Sequence, residues 1–292
     1  MTLALILIGI LVQLSGYEPR LNFGSVKDCG VGIRYSHRQP RLINGKESIR
    51  GAWPWQVSLQ VLHPRLGLMP HWCGAVLIHP SWVVTAAHCI HNDIFSLPIP
   101  ELWTAVLGDW DRTEEEKSEV RIPVERIRVH EEFHNYHHDI ALLKLSRPTS
   151  ARDKGVRAVC LTDADKRPVN PKQQCVATGW GRVKPKGDLV SKLRQIRVPL
   201  HNISVCRDKY GDSVELHGGH LCGGQLDGFS GACIGDSGGP LQCSLKDGRW
   251  YLAGITSFGS GCAKSGYPDV YTKLSFYLPW IRKQINRAVD EY

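Results

Sequence analysis

From Trp55 onward the chain runs in short stretches of alternating or β-branched residues separated by turn signals, and no other feature constrains its fold as much. Examples are "WQVSLQVL", "SWVVTAAH", "LWTAVLGD", "VRIPVERIRV", "IALLKL", "QCVATGWG", "LRQIRVPL", "WYLAGITSFG" and "DVYTKL". Such spacing predicts an all-β sandwich or barrel. "FYLPWIRKQINRAV" breaks the pattern. Its Leu278, Ile281 and Ile285 recur at helical spacing with Pro279 in the first turn, which predicts a C-terminal helix. A shorter helix is predicted within "NISVCRDKYG".

The first residues, "MTLALILIGILVQLSG", are apolar from Leu3 to Leu14 and then meet Ser15 and Gly16. The run is too short to cross a bilayer and fits a secretory leader over residues 1–16, although no Lys or Arg precedes it. No later run is long enough to cross a bilayer, so a secreted, extracellular protein is expected. Ten cysteines behind an export signal imply disulfides. No CxxC pair points to a metal, and the count alone leaves on the order of a thousand pairings. Asn202 opens the one glycosylation sequon, "NIS". A net charge of +8 would suit a polyanion, but no long basic block or nucleic-acid motif accompanies it. Nucleic acid is therefore not an expected partner.

Three segments carry chemistry. "GDSGGP" sets Ser237 among glycines, where the backbone can approach a ligand and two N–H donors can converge on an oxyanion. A serine nucleophile needs a base, and "VVTAAHC" offers His88 at the end of a β-branched run. The base needs an anion to orient it. "HHDIALLKL" offers Asp139 at the mouth of an apolar strand, where an acid needs a partner. Each residue alone has an ordinary structural reading; the set, in the order His, Asp, Ser, is specific.

On "TAAHC", "DIALL" and "GDSGGP", with "WPWQVSL", "HWCGAVLI", "GWGR" and "GITSFGSGC", the chain resembles the trypsin- and chymotrypsin-like serine endopeptidases over about residues 42–292. The resemblance implies two packed six-stranded antiparallel β-barrels with a C-terminal helix and the site in the cleft between them. The first barrel would span about residues 42–155, and the second barrel with the helix about 156–292. His88, Asp139 and Ser237 would be catalytic, with Gly235 and Ser237 as oxyanion donors and no cofactor required for catalysis. The implied disulfides are Cys29–Cys160, Cys73–Cys89, Cys175–Cys243, Cys206–Cys222 and Cys233–Cys262. Residues 17–41 would form an activation peptide. A trypsin-like protease would cut after Arg41, and the new amine of Leu42 would pair with Asp236. His71 would hold Asp236 before the cut, or else be a rim histidine. Protein or peptide substrates, an activating protease and protein inhibitors are the implied partners of a monomer.

The implied primary pocket comprises Gly231, Ala232, Thr256, Ser257, Phe258, Gly259 and Asp269. Gly231 stands where trypsins carry an aspartate, while Asp269 stands at a wall position that is usually glycine. A relaxed specificity for Lys, Arg and bulky apolar residues is the first expectation. An elastase- or chymotrypsin-like pocket, with Asp269 turned away, is the second. Asp109 and Glu119, with Glu116 through water, match the spacing of the family's calcium loop, and a solvated charged turn would read the same.

"HEEFH", residues 130–134, also satisfies the zinc-protease pattern, with His137 and His138 nearby. That chemistry requires a helical turn to bring both histidines to one face. The motif lies between two strand-like runs, which argues against it.

Overall fold

The structure is a computed structural model that describes residues 29–32, 45–92, 95–96, 98–162, 173–184, 186–228 and 231–290. The leader, Arg41 and Leu42 lie outside the described residues.

Strand β1 is Lys46–Glu47. A closed barrel follows, built from β2 (Gln56–His63), β3 (Gly67–His79), β4 (Trp82–Thr85), β7 (Trp103–Leu107), β8 (Val120–Val129) and β9 (Ala141–Leu145). The order around it is β2-β3-β4-β9-β8-β7. β5 (His91–Asn92) and β6 (Phe95–Ser96) pair beside it. Alternation explains β2. Val57, Leu59 and Val61 are fully buried in the apolar core, while Gln56, Ser58 and Gln60 are buried on its other face. Those polar groups are satisfied, as burial requires: Gln56 accepts from the Thr178 hydroxyl at 2.6 Å.

The second half comprises β10 (Cys175–Gly179), β11 (Arg194–Arg197), β12 (Leu200–His201), β13 (His220–Gly223), β14 (Pro240–Ser244), β15 (Trp250–Phe258) and β16 (Asp269–Lys273). They form an eight-stranded antiparallel sheet with β1, ordered β1-β11-β10-β14-β15-β16-β13-β12. It curls as a half-barrel, where the resemblance implied a second closed one. Pro199, between β11 and β12, has no N–H with which to extend the ladder. The two halves are pinned by Trp53 Nε1 donating to Gln195 at 2.8 Å and Trp55 Nε1 donating to Gln242 at 3.2 Å.

Helix α1 is Ile203–Tyr210, capped by the Asn202 side chain, which accepts from Ser204 N at 3.1 Å. Helix α2 is Leu274–Asp290. It begins two residues earlier than its periodicity suggested, so Pro279 lies in the second turn rather than the first. Its Leu278, Ile281 and Ile285 are buried in an apolar cluster that joins residues of the first barrel with Val176, Leu252 and Ile255 of the second half. All five implied disulfides are formed, and no described cysteine is free.

Candidate active site

His88 follows β4 in a single 3-10 turn, Ala87–Cys89, locked by the Cys73–Cys89 bridge. Asp139 lies just before β9 and is 1% exposed. Its Oδ1 accepts from the His88 backbone N–H at 2.9 Å, and its Oδ2 accepts from His88 Nδ1–H at 2.8 Å. Burial penalises the charged imidazole, but Asp139 outweighs it and His88 is raised above 6.5. Burial likewise opposes the Asp139 charge; His88 and hydrogen bonds from Ser257 and the His88 backbone win, and its carboxyl stays low. The imidazole is thus held in one tautomer with Nε2 as its reactive edge.

The second half reaches into this pair. Ser257, on β15, donates its hydroxyl to Asp139 Oδ2 at 2.5 Å, and Thr272 donates to the Asp139 carbonyl at 2.7 Å. Ser257 was expected only as a pocket wall; its hold on Asp139 had no signal in the sequence. Ser237 stands in the turn before β14, and its carbonyl accepts from Gly74 N at 2.8 Å. Gly74 adjoins Cys73, so this bond ties the serine turn to the disulfide beside His88. Gly235 has φ +99, a conformation open to glycine alone at low cost, and an added Cβ would meet Leu189 at 2.5 Å. Among the described residues neither the Gly235 nor the Ser237 N–H has an acceptor.

Among the described residues no hydrogen bond joins His71 to Asp236. Burial pushes His71 down to about 4, so it is neutral. Its Nε2–H donates to the Gly235 carbonyl at 2.9 Å, and Nδ1 lies 2.7 Å from the Ser58 hydroxyl. It therefore steadies the turn at Gly235. Asp236 accepts from Gly181 N and Cys233 N, each at 2.9 Å. No cationic partner among the described residues is paired with it, and burial pushes it up to about 6. It lines a cavity of about 200 Å³ shared with Gly45, Arg194, Gly231, Ala232 and Thr256.

Asp269, at the start of β16, is 6% exposed. Its Oδ2 accepts from Ala232 N at 2.9 Å, and its Oδ1 lies 2.6 Å from where a Gly259 side chain would begin. Burial pushes it up to about 7, against the Ala232 hydrogen bond and with Asp236 adding to the rise. Phe258 packs on Tyr136, whose ring meets His88 edge-on at 5.7 Å.

The acidic loop does not offer a converged oxygen cage. Glu116 is paired with Arg50 and accepts from Trp110 N at 3.1 Å. Glu119 pairs with Arg121 at 2.9 Å and accepts from Glu116 N at 3.0 Å. Asp109 is buried and pushed up to about 7, chiefly by burial and then by Glu119 and Glu116. Arg50, from outside the loop, and Arg121 pair with two of the three carboxylates, while Asp109 Oδ1 is buried without a hydrogen-bond partner among the described residues. "HEEFH" is not helical; it is a turn in which His134 pairs with His137. His130 and His134 therefore lack the shared helical face that the zinc-protease reading needs.

A family model described as Trypsin matches residues 42–281. The chain is 38% identical over 263 residues to transmembrane protease serine 11G of Rattus norvegicus, covering 89% of this chain and 58% of that one. It is 39% identical over 265 residues to transmembrane protease serine 7 of Mus musculus, at 88% and 29%. It is 36% identical over 286 residues to ovochymase of Halocynthia roretzi, at 92% and 17%. The chain thus spans less than two thirds of the length of these relatives. Among its described residues no helix is long and apolar enough to cross a membrane. With its barrel, its half-barrel and a family match over residues 42–281, the chain belongs to the trypsin family.

Proposed function

We propose that the protein is a serine endopeptidase, made as a zymogen, that cleaves peptide bonds through an acyl-enzyme on Ser237. The observation that carries this is the two-point hold of Asp139 on His88, at 2.8 and 2.9 Å. His88 Nε2 takes the proton as Ser237 Oγ attacks the carbonyl carbon. The Gly235 and Ser237 N–H groups receive the oxyanion, a contribution on the order of a hundredfold or more per donor. His88 then gives its proton to the departing amine, and water repeats the sequence to free the acid. Ser237→Ala should abolish activity, and an organophosphate should label Ser237 once per chain. Activity that survives Ser237→Ala and is removed by a zinc chelator would overturn the reading.

Activation is proposed after Arg41, by a trypsin-like protease. The Leu42 amine would enter the cavity beside Asp236 and supply the cation that its carboxylate lacks. The first-choice specificity is relaxed, accepting Lys and Arg as well as bulky apolar residues against Asp269. A second reading is favoured by the Ala232–Asp269 hydrogen bond, which engages one oxygen and suits an elastase- or chymotrypsin-like pocket. A peptide library separates the two. Extracellular protein substrates, protein inhibitors, glycosylation at Asn202 and a secreted monomer complete the proposal. Two relatives are named as transmembrane proteases, so recovery from the medium rather than the membrane fraction is the test of secretion.

A further inference from the structure

The turn from His130 to His138 holds chemistry that peptide cleavage does not use. Three of its residues that are not glycine have left-handed backbone: Asn135 at φ +41, Tyr136 at +64 and His138 at +50. Such conformations are costly and persist where the surroundings over-determine them. Their effect is to fold the chain back so that the His138 ring stacks on that of His130, with centroids 4.6 Å apart. Glu132 comes to the same place. One ligating atom each from His130, Glu132 and His138 lies within 4.8 Å of the others, and this is the one such trio among the described residues.

We propose that His130, Glu132 and His138 form a binding site for a zinc ion, separate from Ser237 and from the zinc-protease pattern. Two imidazoles and a carboxylate are a donor set suited to zinc, with bonds of about 2.0–2.2 Å. Two donors on a tetrahedron of that size stand about 3.4 Å apart. His138 Nε2 and Glu132 Oε2 already stand 3.5 Å apart. His138 Nδ1 lies 3.2 Å from the Tyr277 hydroxyl, so a proton on Nδ1 can be donated there while Nε2 keeps its lone pair for the metal. The His130 ring is backed by Trp280 at 5.0 Å and Tyr277 at 5.6 Å, both on α2. Glu132 is 72% exposed, which leaves an entry path and a position for water as the fourth ligand. Seating the ion requires the stacked rings to tilt until one point lies in both planes. That is rotation about a broad sp³–sp² torsion, which has no deep wells to leave. His134 and His137 stack on each other at 4.7 Å and are not part of the trio.

The test is zinc titration of the full chain carrying Ser237→Ala, which prevents self-cleavage. Calorimetry should give one zinc per chain, and the melting temperature should rise with added zinc, because an ion that binds only the folded chain stabilises it. Glu132→Gln and His130→Gln should each weaken binding at least about tenfold while melting, without zinc, as the parent does. His134→Gln should bind as the parent does. Glu132 is exposed, so its variant keeps the test readable even where a histidine variant is destabilised. The proposal is overturned by absence of saturable binding at micromolar zinc, by undiminished binding in Glu132→Gln, or by loss of binding in His134→Gln.

Discussion

The backbone N–H of Ala232 donates a 2.9 Å hydrogen bond to Asp269 Oδ2, so the floor and the wall of the proposed pocket are tied through one carboxyl group. That group is pushed up to about 7 by burial. It is neutral below that pH and an anion above it. The kcat/KM ratio for a Lys peptide over a Phe peptide should therefore rise as pH increases through about 7. Both substrates share His88, so its titration cancels from the ratio. Asp269→Gly should flatten the ratio and lower it about tenfold or more. A flat ratio in the parent enzyme would remove Asp269 from the specificity.

Activity itself should follow His88. Asp139 raises it above 6.5, so the acidic limb of kcat/KM should fall at a pH above that value as the imidazole gains its proton. Asp139→Asn frees the other tautomer and should lower kcat on the order of 10⁴-fold. Stopped assays across the limb check both.

Asp236 should make the uncleaved chain sensitive to pH. Its folded value of about 6 exceeds the ordinary 3.8, so the folded state binds more protons between those values. Stability should therefore fall as pH rises through that window, by about 3 kcal/mol at most. Cutting after Arg41 should reverse the trend once an amine faces the carboxylate. Arg41→Ala should remain single-chain and inactive. Denaturant melts at pH 4 and pH 7 on both forms decide the matter.

The acidic loop should melt at the same temperature in millimolar calcium as in chelator, because Arg50 and Arg121 already balance Glu116 and Glu119. Asp109, pushed up to about 7, costs stability once it is charged. Asp109→Asn should therefore melt higher than the parent above pH 7. A clear calcium-dependent rise in the parent would support calcium at Asp109, Glu116 and Glu119.

The strands were legible because period-two patterning is local. "WQVSLQVL" became β2 and "VRIPVERIRV" became β8 over Val120–Val129. Helix α2 was legible too, but its start was not. Leu274 and Ser275 are buried by tertiary packing, which periodicity cannot register. The three segments with His88, Asp139 and Ser237 could be read because each has its own neighbours in sequence. Ser257 on Asp139 spans 118 positions and leaves no local trace. His71 faced Gly235 rather than Asp236 for the same reason: a contact 164 positions apart is decided by how the halves dock. The His130–Glu132–His138 trio was hidden because left-handed turns, not helical spacing, bring it together.

Strand β1 has one more consequence. Lys46 and Glu47 are registered against Gln195 and Arg194 of the second half, and Gly45 lines the same cavity as Asp236. A terminus created at Leu42 would hang from that anchor by three residues, a reach of about 10 Å. Its amine could not diffuse away and would search a volume hardly larger than the cavity mouth, at an effective concentration in the millimolar range or above. Insertion would be a unimolecular step. Once the bond is cut, the switch should run at a rate that dilution does not change.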